Sequence, residues 1–187
     1  MNQNSAVLIM DYQHDILKMI GEKKGSVIKN AKALLDRARS LNIPVIFVKV
    51  GFRSGHPEVS SRNKFFTKVK TENELLLDDE GTAIHPEVAP RMGETVIVKH
   101  RIGPFMETNL QTILRAHNID NLILAGISTS GVVLSSIRHA ADADYSLTVV
   151  SDACADADEK VHNHLMEKIF PKQADIKTTQ EIISALG

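Results

Sequence analysis

The sequence predicts an α/β protein built on a parallel sheet, and two patterns support that fold class. Short, continuous apolar runs alternate with longer segments in which apolar residues recur every three or four positions. Continuous apolar runs are typical of strands buried on both faces of a parallel sheet. The three-to-four spacing is typical of helices that pack on such a sheet. Regular alternation of the two elements defines the α/β class.

Five apolar runs predict strands, and they cover residues 6–10, 44–50, 95–98, 121–125 and 146–150. A sixth strand is predicted at 175–178, followed by a helix that Thr178 or Thr179 would cap and that runs to Ala185. Helical spacing is found at 26–41, 107–117, 130–143 and 159–170. The stretch 51–91 has no strong period and holds three of the six prolines, so we expect long connections there.

Length and composition favour one domain over residues 1–187 and exclude several classes of protein. A 43% hydrophobic and 24% charged chain of 187 residues disfavours disorder and coiled coils. Because 22 basic residues balance 23 acidic ones, we expect neither nucleic acid nor membrane as a partner. A lone cysteine, Cys154, and a start without a signal-peptide pattern predict a cytoplasmic protein. Its partner is then a small-molecule substrate.

Polar residues follow three of the predicted strands, where ligands of open parallel sheets bind. Asp11 follows the first strand, Lys99 the third, and the turn at 126–131 the fourth. Singly, Asp11 could be a cap, and Lys99 could join His100 and Arg101 in a solvated basic cluster. Together they favour a reaction site with a carboxylate and an ammonium. The turn matches neither nucleotide-binding fingerprint, so we expect no cofactor.

Three ordered motifs resemble the isochorismatase-like hydrolase superfamily, also called the cysteine hydrolases. Residues 7–15, VLIMDYQHD, resemble its opening D-x-Q-x-D, and residues 98–110 resemble its K…F…T-x-L segment. Residues 122–133, LILAGISTSGVV, resemble its G-x-x-T-x-x-C-V turn. The resemblance implies a Rossmann-like, three-layer α/β/α fold with a six-stranded parallel sheet in the order 3-2-1-4-5-6. It also implies a homodimer or homotetramer.

The chain departs from the family motif at the nucleophile. Counted from Gly126 and Thr129, the family's cysteine falls on Val132, whose side chain has no lone pair. Cys154 lies after the fifth strand and is expected to be a buried apolar filler. Family amidases form an acyl-enzyme on the missing cysteine, which disfavours amidase chemistry here. The family's isochorismatases, which have glycine there, hydrolyse a vinyl ether with only an acid and a water.

The resemblance implies a role for each of the remaining motif residues. Asp11 would be the general acid or base, and Lys99 would orient it and stabilise an anionic substrate group. Burial raises a carboxyl pKa and a nearby ammonium lowers it, and the sequence does not decide between them. A non-proline cis peptide is implied around 127–128. The oxyanion turn would be formed by Ile127, Ser128, Thr129 and Gly131.

Five residues are predicted to bind substrate or brace the site: Gln13, Phe52, Arg53, Arg62 and Phe105. The two arginines lie in the loop after the second strand, where they would bind a carboxylate through two hydrogen bonds. The stretch that matches the zinc ligands of family nicotinamidases offers one histidine, His56, and no aspartate. His162 and His164 lie on different faces of a helix. We therefore expect no metal.

The sequence thus predicts a metal-independent hydrolase of a small metabolite, of the vinyl ether or amide type. Two alternatives remain. The first is a non-catalytic binding protein that kept the pocket. The second is an amidase with a serine nucleophile, chosen among Ser128, Ser130 and Ser135, although the motif holds no histidine to activate one. Ser130 is also explained as a helix N-cap.

Overall fold

The structure, a computed structural model, describes residues 4–186, and its centre is a sheet of six parallel strands. The strand order is β3-β2-β1-β4-β5-β6, and every neighbouring pair is parallel. The predicted fold class and strand order are confirmed. The strands are β1 (Ser5–Met10), β2 (Val45–Val50), β3 (Thr95–Lys99), β4 (Asn121–Gly126), β5 (Ser146–Val150) and β6 (Asp175–Lys177).

Helices cover both faces of the sheet. The α-helices are α1 (His14–Lys18), α2 (Lys24–Ser40), α3 (Lys64–Thr71), α4 (Leu110–Ala116), α5 (Leu134–Asp142), α6 (Glu159–His164) and α7 (Thr179–Ala185). A π-helical turn, Thr129–Val133, leads into α5, and a second one, Leu165–Ile169, follows α6. Short 3₁₀ turns lie at Gly21–Lys23, Glu80–Thr82, Pro86–Val88, Ser151–Ala153 and Phe170–Lys172.

The alternating side chains of β1 divide the core into two layers. Val7 and Ile9 pack in one cluster with the buried face of α2. Leu8 and Met10 pack in the other cluster with α4 and α5. Both faces of the central strand are therefore covered, which explains its unbroken apolar run and makes the three-layer arrangement.

Strand β3 differs from the prediction of burial on both faces. It lies at the edge of the sheet, where Ile97 is buried but Val96 and Val98 are 40% and 36% exposed. The helix predicted at 107–117 also begins later, at Leu110. Glu107 has a φ of 56°, which is incompatible with a right-handed helix, so the chain cannot become helical before it.

The stretch 51–91 holds one helix that its sequence did not predict. In α3, Asn63 caps the N-terminus by accepting a hydrogen bond from the backbone N–H of Phe66. The last helix, α7, was predicted, and Thr178 rather than Thr179 caps it through a capping box with Glu181. Within residues 4–186, no helix has the length and apolarity needed to cross a membrane.

Candidate active site

Asp11 lies directly after β1, in the middle of the sheet's carboxyl edge. Its backbone N–H donates to the carbonyl of Val48, which continues the pairing with β2 for one residue. Its φ of 60° is left-handed, a conformation that aspartate tolerates better than most residues. The side chain is turned into the protein and the residue is only 4% exposed.

Lys99, the last residue of β3, meets Asp11 across the end of β2. Its Nζ lies 2.8 Å from Oδ2 of Asp11 and donates a second hydrogen bond to the carbonyl of Arg101 at 3.1 Å. An ammonium has three N–H donors, so one remains for a ligand. Oδ1 of Asp11 is buried and has no hydrogen-bond partner among residues 4–186.

The environment of Asp11 raises the pKa of its carboxyl, which shifts it toward the protonated form. Burial raises the pKa of this carboxyl and outweighs the lowering by the charge and hydrogen bond of Lys99 and by the backbone N–H of Val50. The structure therefore resolves the opposition that the sequence leaves open. A proton on Oδ1 removes the buried negative charge while Oδ2 still accepts from Lys99. In this arrangement Lys99 holds Oδ2 of Asp11, and Oδ1 has no hydrogen-bond partner among residues 4–186.

The turn after β4 has the implied cis peptide bond, between Ile127 and Ser128. Its amide groups, however, are largely engaged by the protein itself. Ile127 N–H donates to Met10, Thr129 N–H to Ala155, and Gly131 N–H to Ser128. Of the four predicted oxyanion residues, these three do not offer a free amide. Neighbouring carbonyl oxygens satisfy these amides in this structure, and the oxyanion role of the turn stays a prediction.

Two residues that the motif analysis did not assign hold this turn from the other side. Asp156 Oδ2 accepts from the backbone N–H of Ser130 at 2.7 Å, and Nδ1 of His162 lies 2.8 Å from Oγ1 of Thr129. Burial lowers the pKa of His162. Ser130 is consequently not an N-cap, since Ser128 occupies that position and makes no side-chain cap. Sequence spacing alone does not reveal contacts between a turn and a later helix.

Val132, to which the family resemblance assigns the position of the nucleophile, is 2% exposed. A Cβ placed on Gly126 would come within 3.2 Å of Cγ1 of Val132, so the two residues are in close contact. Cys154 is buried in the core cluster below α5, as predicted for an apolar filler. Burial raises the pKa of its thiol to about 12. Neither residue supplies a thiolate at neutral pH.

Gln13 braces the site and is fully buried. Its Nε2 donates to the carbonyls of Val50 and Thr82, and its Oε1 accepts from the N–H of Val50. Both amide hydrogens are thus used by the backbone. The bracing role is that expected from the sequence, whereas a direct contact with substrate would require these bonds to break.

Within residues 4–186, no hydrogen bond or ion pair joins the predicted residues of the loop after β2 to Asp11. Phe52 is fully buried and packs edge-on against Phe66. Arg53 is 71% exposed and pairs with Glu58 at 2.5 Å, and Arg62 is exposed. Within residues 4–186, neither arginine contacts Asp11 or Lys99. Arg53 therefore pairs with an acidic residue of its own loop, and the sequence alone does not indicate this pairing.

Phe105 lines a cavity of about 420 Å³ beside the loop that follows β3, and neither Asp11 nor Lys99 is among its lining residues. Its ring stacks on that of His139 with centroids 4.4 Å apart. His56 is buried and its Nε2 lies 2.7 Å from the carbonyl of Glu74. Residues 4–186 contain no cluster of three histidine, cysteine or acidic side chains arranged to hold a metal ion.

This sheet order, with an acid and an ammonium at its carboxyl edge, defines the class of isochorismatase-like hydrolases. The model of the isochorismatase domain matches residues 5–181, so the chain belongs to the isochorismatase family. It is 28% identical over 187 residues to the isochorismatase family protein YecD of Escherichia coli O157:H7, with 98% of this chain and 97% of that protein covered.

Other relatives agree with this assignment. The chain is 33% identical over 146 residues to the ureidoacrylate amidohydrolase RutB of Rhizobium rhizogenes, which covers 72% of this chain and 59% of that protein. An isochorismatase family protein from Burkholderia thailandensis superposes with a TM-score of 0.87 at 27% identity, covering all of this chain and 97% of that one. The chain is therefore a hydrolase by family.

Proposed function

We propose that the protein hydrolyses a small vinyl ether metabolite by general acid catalysis, with Asp11 as the acid. The observation that carries this proposal is the unpartnered, buried Oδ1 of Asp11 beside an Oδ2 that Lys99 holds. A general acid must keep its proton at working pH, and burial raises the pKa of Asp11 in the direction that this role needs.

The reaction balances with an acid and one water. Oδ1 of Asp11 gives its proton to the terminal alkene carbon, whose π electrons form the new C–H bond. The positive charge that results is shared with the ether oxygen. Water adds to that cation and returns a proton to the Asp11 carboxylate. The hemiketal then breaks its C–O bond and releases a ketone and an alcohol, so no covalent enzyme intermediate is needed.

Lys99 has two tasks in this scheme. It fixes the Asp11 carboxyl through Oδ2, and it balances the carboxylate that forms after proton transfer. Its remaining N–H can donate to an oxygen of the substrate. Because residues Asp11 and Lys99 are 4% and 2% exposed, their interaction is screened little by water.

A thiol-dependent amidase is the less favoured alternative. Relatives of the chain are named as amidohydrolases of ureidoacrylate and maleamate, which brings amides into the range of substrates to test. Val132, however, replaces the nucleophile that the family resemblance places at this position. The remaining thiol, Cys154, is buried with its pKa raised to about 12. The acid mechanism needs neither residue.

The test is turnover of isochorismate and of a panel of small amides and carbamoyl compounds. Wild type should remain active with EDTA and with a thiol-alkylating reagent, whereas Asp11→Asn and Lys99→Ala should lose turnover. Asp36→Asn is the matched control, because that carboxylate pairs with Lys32 on the exposed surface of α2. Turnover that survives in Asp11→Asn, or that alkylation abolishes, would contradict the mechanism.

We also propose the setting expected from the sequence, a cytoplasmic homodimer or homotetramer. The exposed valines of the edge strand β3 support an assembly, since edge strands are usually covered or charged. Sedimentation of the purified protein measures its oligomeric state, and a monomer would contradict this part.

A further inference from the structure

An imidazole that the proposed mechanism does not use is joined to the turn after β4. Nδ1 of His162, on α6, lies 2.8 Å from Oγ1 of Thr129. Thr129 is fully buried, and its hydroxyl makes no other hydrogen bond within residues 4–186. His162 itself is half-buried. A titratable group thus holds a buried residue of the turn.

This turn is packed against the end of the strand that carries Asp11. The N–H of Ile127 donates to the carbonyl of Met10, the residue before Asp11, at 3.1 Å. Oγ of Ser136 donates to the carbonyl of Val132 at 2.7 Å and lies 3.3 Å from Sδ of Met10. Met10 therefore contacts both the start and the end of the turn. A shift of the turn should move the backbone from which Asp11 projects.

The hydrogen bond between Thr129 and His162 is complete only with a neutral imidazole. A neutral ring can accept the hydroxyl hydrogen at Nδ1, whereas a protonated ring has a donor there. The Thr129 oxygen would then have to accept, and its own hydrogen would have no acceptor among residues 4–186. Leaving a buried donor without a partner is costly. Protonation of His162 therefore works against the observed contact.

The charges around His162 do not reverse this preference. Burial is the largest cause that lowers the pKa of His162, and the ammonium of Lys23 lowers it further. The carboxylates of Asp156 and Glu159 raise the pKa by less. Asp156 is also held by the backbone N–H of Ser130 at 2.7 Å. The folded protein therefore keeps this imidazole neutral to a lower pH than an unfolded chain does.

We propose that His162 is a positioning residue for the reaction: its neutral imidazole fixes the turn after β4 through Thr129, and protonation releases that turn. The inference rests on the proposed hydrolase function and adds a lower pH limit to it. The Asp11 acid loses its proton as the pH rises, whereas the bond between Thr129 and His162 is lost as the pH falls. Turnover should therefore have an optimum, and its acidic limb should depend on His162.

Titration of the His162 ring by NMR tests the hydrogen bond without any turnover. In wild type the ring should titrate below its ordinary pKa of 6.5. Thr129→Val keeps the shape of the side chain and removes the hydroxyl. It should raise the pKa of His162 without restoring 6.5, because burial remains. An unchanged pKa in Thr129→Val would contradict the proposal.

The pH profile of kcat tests the positioning role. His162→Asn keeps a side chain that can accept from Thr129 and that does not titrate. It should retain most of kcat at neutral pH and lose the acidic limb. His162→Ala should lower kcat at neutral pH by up to about tenfold with little change in KM, as expected for the loss of one hydrogen bond. An acidic limb that persists in His162→Asn would overturn the proposal.

His164→Asn is the matched control, since His164 is exposed and lies two residues later on the same helix. It should keep the acidic limb and the titration of His162 as in wild type. Melting temperatures of all variants should show that they are folded. Loss of the acidic limb in His164→Asn as well would contradict a specific role of His162.

The two proposals fail in distinguishable ways. An absence of turnover on every compound, with a His162 pKa that responds to Thr129→Val, would contradict the hydrolase mechanism and support the hydrogen bond. Turnover that depends on Asp11 and has no acidic limb would support the mechanism and overturn the role of His162. A rising limb that disappears in His162→Asn does not come from a base at Asp11.

Discussion

The two carboxyl oxygens of Asp11 have different surroundings: Oδ2 lies 2.8 Å from Nζ of Lys99, and Oδ1 is buried without a partner among residues 4–186. A symmetric ion pair would engage both oxygens. In the proposed mechanism this asymmetry separates two tasks, since Oδ2 orients the group and Oδ1 carries the transferable proton. The predictions below follow from this pair and from the apolar residues around it.

The rate of hydrolysis should fall as the pH rises through the pKa of Asp11. Burial raises that pKa above its ordinary value of 3.8, and in the proposed mechanism the acid form is the active one. Asp11→Glu keeps a carboxylic acid at this position. It should retain part of the rate and shift the pH at which the rate falls. A profile of kcat/KM against pH measures the limb. A rate that increases with pH over the same range would indicate a general base instead.

The Asp11 carboxyl should also make stability depend on pH. Its pKa is raised in the folded state, so its favourable contribution is complete below 3.8 and is lost as the pH rises through the folded value. Wild type should therefore lose stability relative to Asp11→Asn as the pH increases. Melting temperatures of both proteins from about pH 4 to 8 measure the difference. A constant difference would mean that the pKa is not raised.

Lys99→Met should destabilise the protein above the pKa of Asp11, where it leaves an ionised carboxyl buried without its cation. Breaking a buried pair from one side costs about 3–5 kcal/mol, and the cost should shrink at low pH, where the carboxyl is neutral. The double variant Asp11→Asn/Lys99→Met should lose less than the sum of the two single changes. Urea unfolding measures all three. Additive losses would show that the two side chains do not interact.

The Cys154 thiol should be inert in the folded protein. It is 3% exposed and its pKa is raised to about 12, so it is neither accessible nor ionised at neutral pH. Iodoacetamide should label it only in urea, as mass spectrometry would detect. Cys154→Ala should keep full turnover. Rapid labelling of Cys154 in the native protein, with loss of activity, would contradict this prediction and would indicate that the thiol takes part in catalysis.

Val132→Ala should open space beside the site. The side chain packs against Gly126, and the loss of two methyl groups should cost about 1–3 kcal/mol of stability. The KM for bulkier substrates should fall at the same time. Val133→Ala is the control, since Val133 is fully buried on the same turn and should cost similar stability without the kinetic effect. Equal KM changes in both would assign the effect to general loosening.

Much of the fold could be predicted because buried parallel strands leave an unmistakable apolar pattern. Each strand boundary differs by at most one residue from the range predicted. Helix α1 was missed because it has five residues and buries only Leu17, and α3 was missed because it lies in the stretch 51–91, whose sequence has no strong period. The exposure of Val96 and Val98 was missed because sequence does not tell an edge strand from a central one.

The candidate site was predictable where it depends on strand ends. Asp11 and Lys99 meet because parallel strands end at the same edge of the sheet. Its loop residues were not predictable in the same way. Arg53 pairs with Glu58 and is mostly exposed, and Arg101 was taken only as part of a basic cluster. The direction of a loop side chain depends on its contacts in space, and a single sequence does not show those contacts.

The order of the strands in space has a consequence for how the protein refolds. β1 is central but comes first in the chain, and it pairs with β2 and with β4, which lies far beyond it. Long-range parallel pairing is slow because long loops must close before any contact forms. Asp11 and Lys99 can meet only after β3 has docked on β2. After dilution from urea, turnover should consequently recover more slowly than the circular dichroism signal of the helices. The recovery of turnover then reports completion of the sheet.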